Sequence, residues 1–125
     1  MAFAKRFEEL EIWQHARALV TLVYNDFAYG TAGHKDAIFF NQITAAVLSI
    51  MNNIGEGFER HTSADFARFL DIAKGSCGEV RSMYYAAQDL NYVRADIAAL
   101  RRSQAESIAK GIAALTRHFR TPAAQ

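Results

Sequence analysis

The chain has 125 residues, 51% hydrophobic and 22% charged, with a formal net charge of +1. That composition suits one compact domain, 1–125, built around a single core, and its near-neutral balance provides no bulk attraction to nucleic acid or anionic lipid. The one cysteine, Cys77, excludes an intrachain disulfide and a thiolate metal cluster, and the start MAFAKRFEEL lacks the apolar core of a secretion signal, so a cytoplasmic setting without membrane contact is expected.

Proline and glycine punctuate the chain weakly. Pro122, the one proline, lies in the tail, and no run reads as strands joined by two-residue turns, which predicts an all-α chain. A first helix is expected over roughly 8–28, where Trp13, Ala16, Val20, Val23 and Phe27 recur at intervals of three and four as one buried stripe. Tyr29-Gly30-Thr31-Ala32-Gly33 ends it. A second helix, roughly 36–60, carries Ile43, Val47, Ile50, Ile54 and Phe58 in the same rhythm. After a turn at His61-Thr62-Ser63 comes a third, roughly 63–90, opened by a capping box of Thr62 and Asp65. Its core face is Phe66, Leu70, Ala73, Cys77, Val80, Tyr84 and Ala87, and Asn91 breaks it. The fourth, roughly 95–119, carries Ile97, Leu100, Ile108, Ile112, Leu115 and Phe119 before Pro122. Four helices with short connections predict an antiparallel up-down four-helix bundle.

Within the second helix stands NNIGEGFER, Asn52 to Arg60. Phosphate-cradling glycine loops need a preceding strand, a particular glycine spacing and usually a lysine, none of which this segment has. The apolar rhythm runs straight through Gly55 and Gly57, which places both glycines inside the helix at a cost of about 1 kcal/mol each relative to alanine. Close approach of another main chain is the expected compensation.

Projected at 100° per residue, this helix has a polar flank of Gln42, Ser49, Asn53, Glu56 and Arg60. Its other flank, Thr44, Leu48, Met51 and Gly55, is small or apolar and predicts contact with a neighbouring subunit. The third helix has its own small cluster, Gly75-Ser76-Cys77-Gly78, followed by Glu79. Small residues beside carboxylates on two helices predict close packing and a polar seam drawn from Ser49, Asn53, Gly55, Glu56, Gly57, Arg60, Gly75, Ser76 and Glu79. The plainer alternatives are scattered surface apolar residues on the apolar flank and, on the polar one, an ordinary surface where Asn53, Glu56 and Arg60 bond at i, i+3 and i+4.

Three blocks in order resemble the bacterial four-helix bundle proteins known as 23S rRNA intervening-sequence proteins. The first is FEELEIWQHA, Phe7 to Ala16; the second is carried by Ser49, Ile50, Asn53, Ile54, Glu56, Gly57, Phe58 and Arg60. The third comprises Phe66, Arg68, Phe69, Leu70, Ile72, Ala73, Gly75, Ser76 and Glu79. The resemblance implies a left-handed antiparallel bundle assembled as a homopentameric ring, with no established reaction and no cofactor. It also implies association with insertions in ribosomal RNA genes or, in a related branch, with retroelement reverse transcriptases, where nucleic-acid binding is proposed. The chain departs from the pattern at Thr44, Ala45 and Ala46, where family members commonly carry two arginines and an alanine.

A different basic surface is available on the fourth helix. Arg102, Lys110, Arg117 and Arg120 project within about 80° of one another, and 95–125 holds five basic and two acidic residues. Repeated around a ring, the stripe could bind RNA or DNA in a salt-sensitive way; the alternative is a solvated face with cations favoured near the helix C-terminus. No Glu-x-x-His pairs of a di-iron bundle occur, and no nucleophile, base and orienting group stand at sensible spacing. The expected function is a non-enzymatic oligomeric scaffold that binds itself and nucleic acid or another protein, with no catalytic, cofactor or metal residues. The alternative is an enzyme whose composite site forms between subunits.

Overall fold

The structure, a computed structural model, describes residues 4–120, with the side chain of Arg120 left out. A 3-10 turn at Phe7–Glu9 precedes α1 (Glu11–Asp26), a single turn α2 (Ala32–Lys35), α3 (Ala37–Phe58), α4 (Ser63–Asp89) and α5 (Ala95–Arg120). Among the described residues there is no strand. The four long helices fall within a few residues of their expected bounds. The Pro122 stop lies outside the described residues.

Paired contacts give the helix directions. On α3 and α4, Ser49 meets Ser76 while Gly57 meets Phe66 and Phe69, so the two run antiparallel. Gln88 with Arg102 and Phe66 with Phe119 set α4 against α5 in the same sense. Asp26 with Arg101 and Ile12 with Gly111 do so for α1 and α5, and Phe27 with Phe39 and Trp13 with Gly55 for α1 and α3. The result is a helical bundle whose neighbours alternate in direction around the core.

The core follows the helical periodicity. Ile43, Val47, Ile50 and Ile54 of α3 and all seven forecast positions of α4, Phe66 to Ala87, are buried, each large apolar side chain contributing about 1.5–3 kcal/mol of transfer free energy. By length and composition alone α3 would suffice to cross a bilayer; in the bundle it packs on α1 and α4. Two stripes shift. On α1 the fully buried set is Ala16, Leu19, Val23 and Phe27, with Trp13 and Val20 half-buried. On α5 the buried residues are Ala98, Arg101, Ala105, Ile108, Ile112 and Thr116, and Leu100, expected inside, is 49% exposed. Alanines at 98 and 105 let α5 lie close to its neighbours, which rotates Leu100 outward.

Local chemistry explains the ends. The chain bends at Leu10, an extended residue whose buried side chain separates the 3-10 turn from α1. Thr31 accepts from the His34 amide, turning part of the expected loop into α2, and Asp36 caps α3 by accepting from the Phe39 amide at 3.1 Å. Thr62 accepts from the Asp65 amide at 3.1 Å, whereas the Asp65 carboxylate turns to Arg68 at 3.8 Å, so half of the capping box forms. Asn91 takes the left-handed conformation (φ 59) after α4. Bonds from Tyr92 N to Ala87 O and Asn91 N to Gln88 O then close a Schellman-type end.

Candidate functional site

The helix α3 runs unbroken through Ile54, Gly55, Glu56, Gly57 and Phe58, as its periodicity forecast. The two glycines differ in what surrounds them. A β-carbon on Gly57 would stand 2.6 Å from Phe69 Cβ and 3.0 Å from Phe66 Cδ1, so α4 crosses too close there for any side chain. A β-carbon on Gly55 would meet only ring atoms of Trp13 and Phe7, at 3.7 Å and beyond, which is ordinary contact. Main-chain crowding therefore accounts for Gly57 and not for Gly55.

Three members of the expected polar seam come together. Ser76 Oγ donates to Ser49 Oγ at 2.8 Å, and Asn53 Nδ2 donates to Ser49 Oγ at 2.9 Å and to the Ser49 carbonyl at 2.8 Å. These bonds satisfy hydroxyls enclosed between α3 and α4, which would otherwise cost about 1–3 kcal/mol each. Glu56 and Arg60 form a separate surface ion pair at 2.9 Å, and the Arg60 guanidinium lies 4.6 Å over the Phe69 ring. Gly75 and Glu79 are exposed and outside the seam; nothing within 4 Å would meet a β-carbon at Gly75 or Gly78. The expectation that both small-residue clusters meet is thus replaced by a contact of Gly57 with two phenylalanines, whose rings fill the gap.

Of the expected subunit flank, Thr44 is buried and donates to the Phe40 carbonyl at 2.6 Å, while Leu48 and Met51 are half-buried. Gly55 is covered by the N-terminal segment through Phe7 and Trp13.

The basic stripe sits on the face shared by α4 and α5. The Arg102 guanidinium lies 4.0 Å over the ring of Tyr85, a residue of α4 that is 56% exposed, and its Nη1 donates to Gln88 at 3.1 Å. One turn along, Glu106 is shared by Lys110 at 3.7 Å and Arg81 at 3.9 Å. Arg81 is held weakly, its buried Nε having no hydrogen-bond partner among the described residues. Arg117 is exposed further along, and the side chain of Arg120 lies outside the described residues. The aromatic platform beside the stripe is not legible from the spacing on α5, because Tyr85 belongs to the neighbouring helix.

A buried polar clasp is likewise absent from the sequence expectations. Asp26 accepts from Tyr84 Oη at 2.7 Å and from Arg101 Nε and Nη2 at 2.7 and 3.0 Å, while Arg101 Nη1 donates to Gln104 at 3.2 Å. The Arg101 and Asp26 side chains are 9% and 11% exposed. The bidentate pair ties α1 to α5, and Tyr84 adds α4. Burial, then the bond to Asp26, pushes the Tyr84 phenol well above its ordinary range, and the same carboxylate raises the Arg101 pKa. The available signal was the run Ala98, Arg101, Ala105, Ile108, Ile112, a core spacing interrupted by an arginine.

Other chemistry is quiet. Burial pushes the Cys77 thiol up to about 12, so it is a small apolar side chain at neutral pH. Among the described residues no three His, Cys, Asp or Glu side chains stand close enough to hold a metal ion. At the opposite end from the Gly57 turn, Tyr92 donates to Asp36 at 2.7 Å, which lowers the Asp36 pKa and raises that of Tyr92.

Comparison with known proteins agrees with this architecture. A solved protein of unknown function from the S23 ribosomal protein family of Bacteroides thetaiotaomicron superposes with a TM-score of 0.76 at 19% identity, covering 88% of this chain and 99% of that one. Likeness at that identity shows the fold. No curated protein matches the chain. The family model described as 23S rRNA-intervening sequence protein matches residues 8–114, a span that takes in α1, α3 and α4 and most of α5. The chain belongs to the 23S rRNA-intervening sequence protein family.

Proposed function

We propose that the protein is a non-catalytic, self-associating helical scaffold that holds nucleic acid on its α4/α5 face. The observation that carries the reading is the stack of Arg102 on exposed Tyr85 at the head of a row continued by Arg81, Lys110 and Arg117. Cations along a helix face contact phosphates, and an exposed aromatic ring beside them offers a base a surface to stack on.

Self-association is central because one copy of this face has few cations, two of them sharing Glu106, and repetition multiplies the phosphates it can reach. Burial on α3 supports it. The helix is apolar enough to cross a bilayer, yet only 39% of that apolar stretch is buried in a single chain. Leu48, half-buried, lies on the flank that a second copy would cover, whereas Met51 is turned toward Phe7 and Trp13.

Filter retention of a single-stranded RNA across a salt series tests the nucleic-acid part. Binding should weaken steeply with salt, and the Arg102→Ala, Lys110→Ala, Arg117→Ala, Arg120→Ala quadruple variant should lower the log–log slope by about 0.7 for each phosphate no longer neutralised. Tyr85→Ala should weaken binding by about 1 kcal/mol or more without altering that slope. Unchanged affinity in the quadruple variant would remove the face from any role.

A further inference from the structure

Two of the sequence blocks converge on a groove that neither the seam nor the basic face uses. Phe7 and Trp13 from the first block and Met51, Asn52, Gly55, Glu56 and Glu59 on and just beyond α3 enclose a volume of about 410 Å³. The groove lies between α1 and α3, on the side of the bundle away from α4 and α5. Its apolar wall is the Phe7 and Trp13 ring pair, with centroids 5.2 Å apart, together with Met51. The opposite wall is polar and acidic, and no lysine or arginine lines it. Glu56 is already paired with Arg60, whereas Glu59 has no ion-pair partner among the described residues.

Gly55 forms the floor. Nothing in the chain crowds it below 3.7 Å, so packing does not account for a glycine inside a helix at this point. A helix-interior glycine is costly, and here a β-carbon would stand in ordinary contact with the Phe7 and Trp13 rings and fill part of the groove floor. An indole face attracts cations, and the Arg17 guanidinium, 5.8 Å from the Trp13 centroid, does not line the groove. The indole Nε1 makes no hydrogen bond among the described residues.

We infer that this groove seats an arginine or lysine side chain from a basic segment of a partner protein. An alkyl stem against Phe7, Trp13 and Met51 with its cationic head at Glu59 matches the two walls, combining cation–π attraction with an ion pair. The exposed carboxylate wall leaves one side of the groove wet, so the rest of the segment must supply further contacts. That favours a side chain projecting from a polypeptide over a free small cation.

Trp13 is the only tryptophan in the sequence, so its fluorescence reports on this groove. Titrating the full chain with a short Arg-Gly peptide that has no aromatic residue should change that fluorescence saturably, with a Kd below about 1 mM. Glu59→Gln, a surface change that leaves the fold intact, should weaken binding about threefold to fivefold. Gly55→Ala should also weaken it, although that variant is expected to unfold at higher urea than the natural chain. A Glu-Gly peptide should give no change. The inference is overturned if the Arg-Gly peptide gives no saturable signal or if both variants bind it as the natural chain does. It is equally overturned if agmatine binds as tightly as the peptide, assigning the groove to a free cation, or if the signal changes on dilution alone, assigning it to a second copy.

Discussion

Asp26→Ala should cost about 3–5 kcal/mol of stability, the largest loss expected from replacing any single polar side chain in this chain. Among the described residues Asp26 is the only carboxylate bonded to buried Arg101, and it also accepts from the Tyr84 hydroxyl. Removing it leaves an arginine side chain 9% exposed with only Gln104 as a partner among the described residues, and a buried hydroxyl with none among them. The penalty is mainly that of an uncompensated charge, not the net worth of the pair. The double replacement Asp26→Ala, Arg101→Met should therefore recover much of the loss, because an apolar pair needs no desolvation. Urea unfolding at a fixed protein concentration measures both. A double variant as unstable as the single one would show that the clasp contributes specific bonding energy and not merely mutual neutralisation.

Gly57→Ala and Gly55→Ala should move stability in opposite directions. Alanine is favoured over glycine inside a helix by about 1 kcal/mol. At Gly57 that gain is overcome, because the added carbon would meet Phe69 Cβ at 2.6 Å, an atom fixed close to the α4 backbone that cannot swing aside. Overpacking of this kind costs typically 1–3 kcal/mol, giving a net loss of up to about 2 kcal/mol. At Gly55 the nearest atom would stand at 3.7 Å, so most of the helical gain survives and the variant should be stabilised by about 0.5–1 kcal/mol. Denaturant midpoints of the two variants decide the matter, and a matching sign would mean that α3 and α4 do not cross closely at Gly57.

Much of this was legible in the sequence, for identifiable reasons. Helices α3 and α4 bury large apolar residues on one clean stripe, so Ile43 to Ile54 and Phe66 to Ala87 could be placed by periodicity alone. The caps at Thr62 and the break at Asn91 were equally plain, since each rests on one local conformation. Side-chain spacing is silent about how helices rotate against one another. Arg101 was hidden because a basic residue beside Arg102 reads as surface, and only the approach of Asp26 from 75 positions away explains its burial. Tyr85 was hidden in the same way, its role on the basic face arising from Arg102 on the next helix. The pair of glycines looked alike in sequence, and the distances to α4 and α1 separate one that the fold requires from one that it does not.

The scaffold reading turns on whether the single chain is the working unit. Light scattering behind a size-exclusion column at micromolar concentration measures this directly. The expected result is a mass several times the 13.9 kDa of one chain, five times it for a pentameric ring. A species that stays at the mass of one chain would contradict self-association and the scaffold with it.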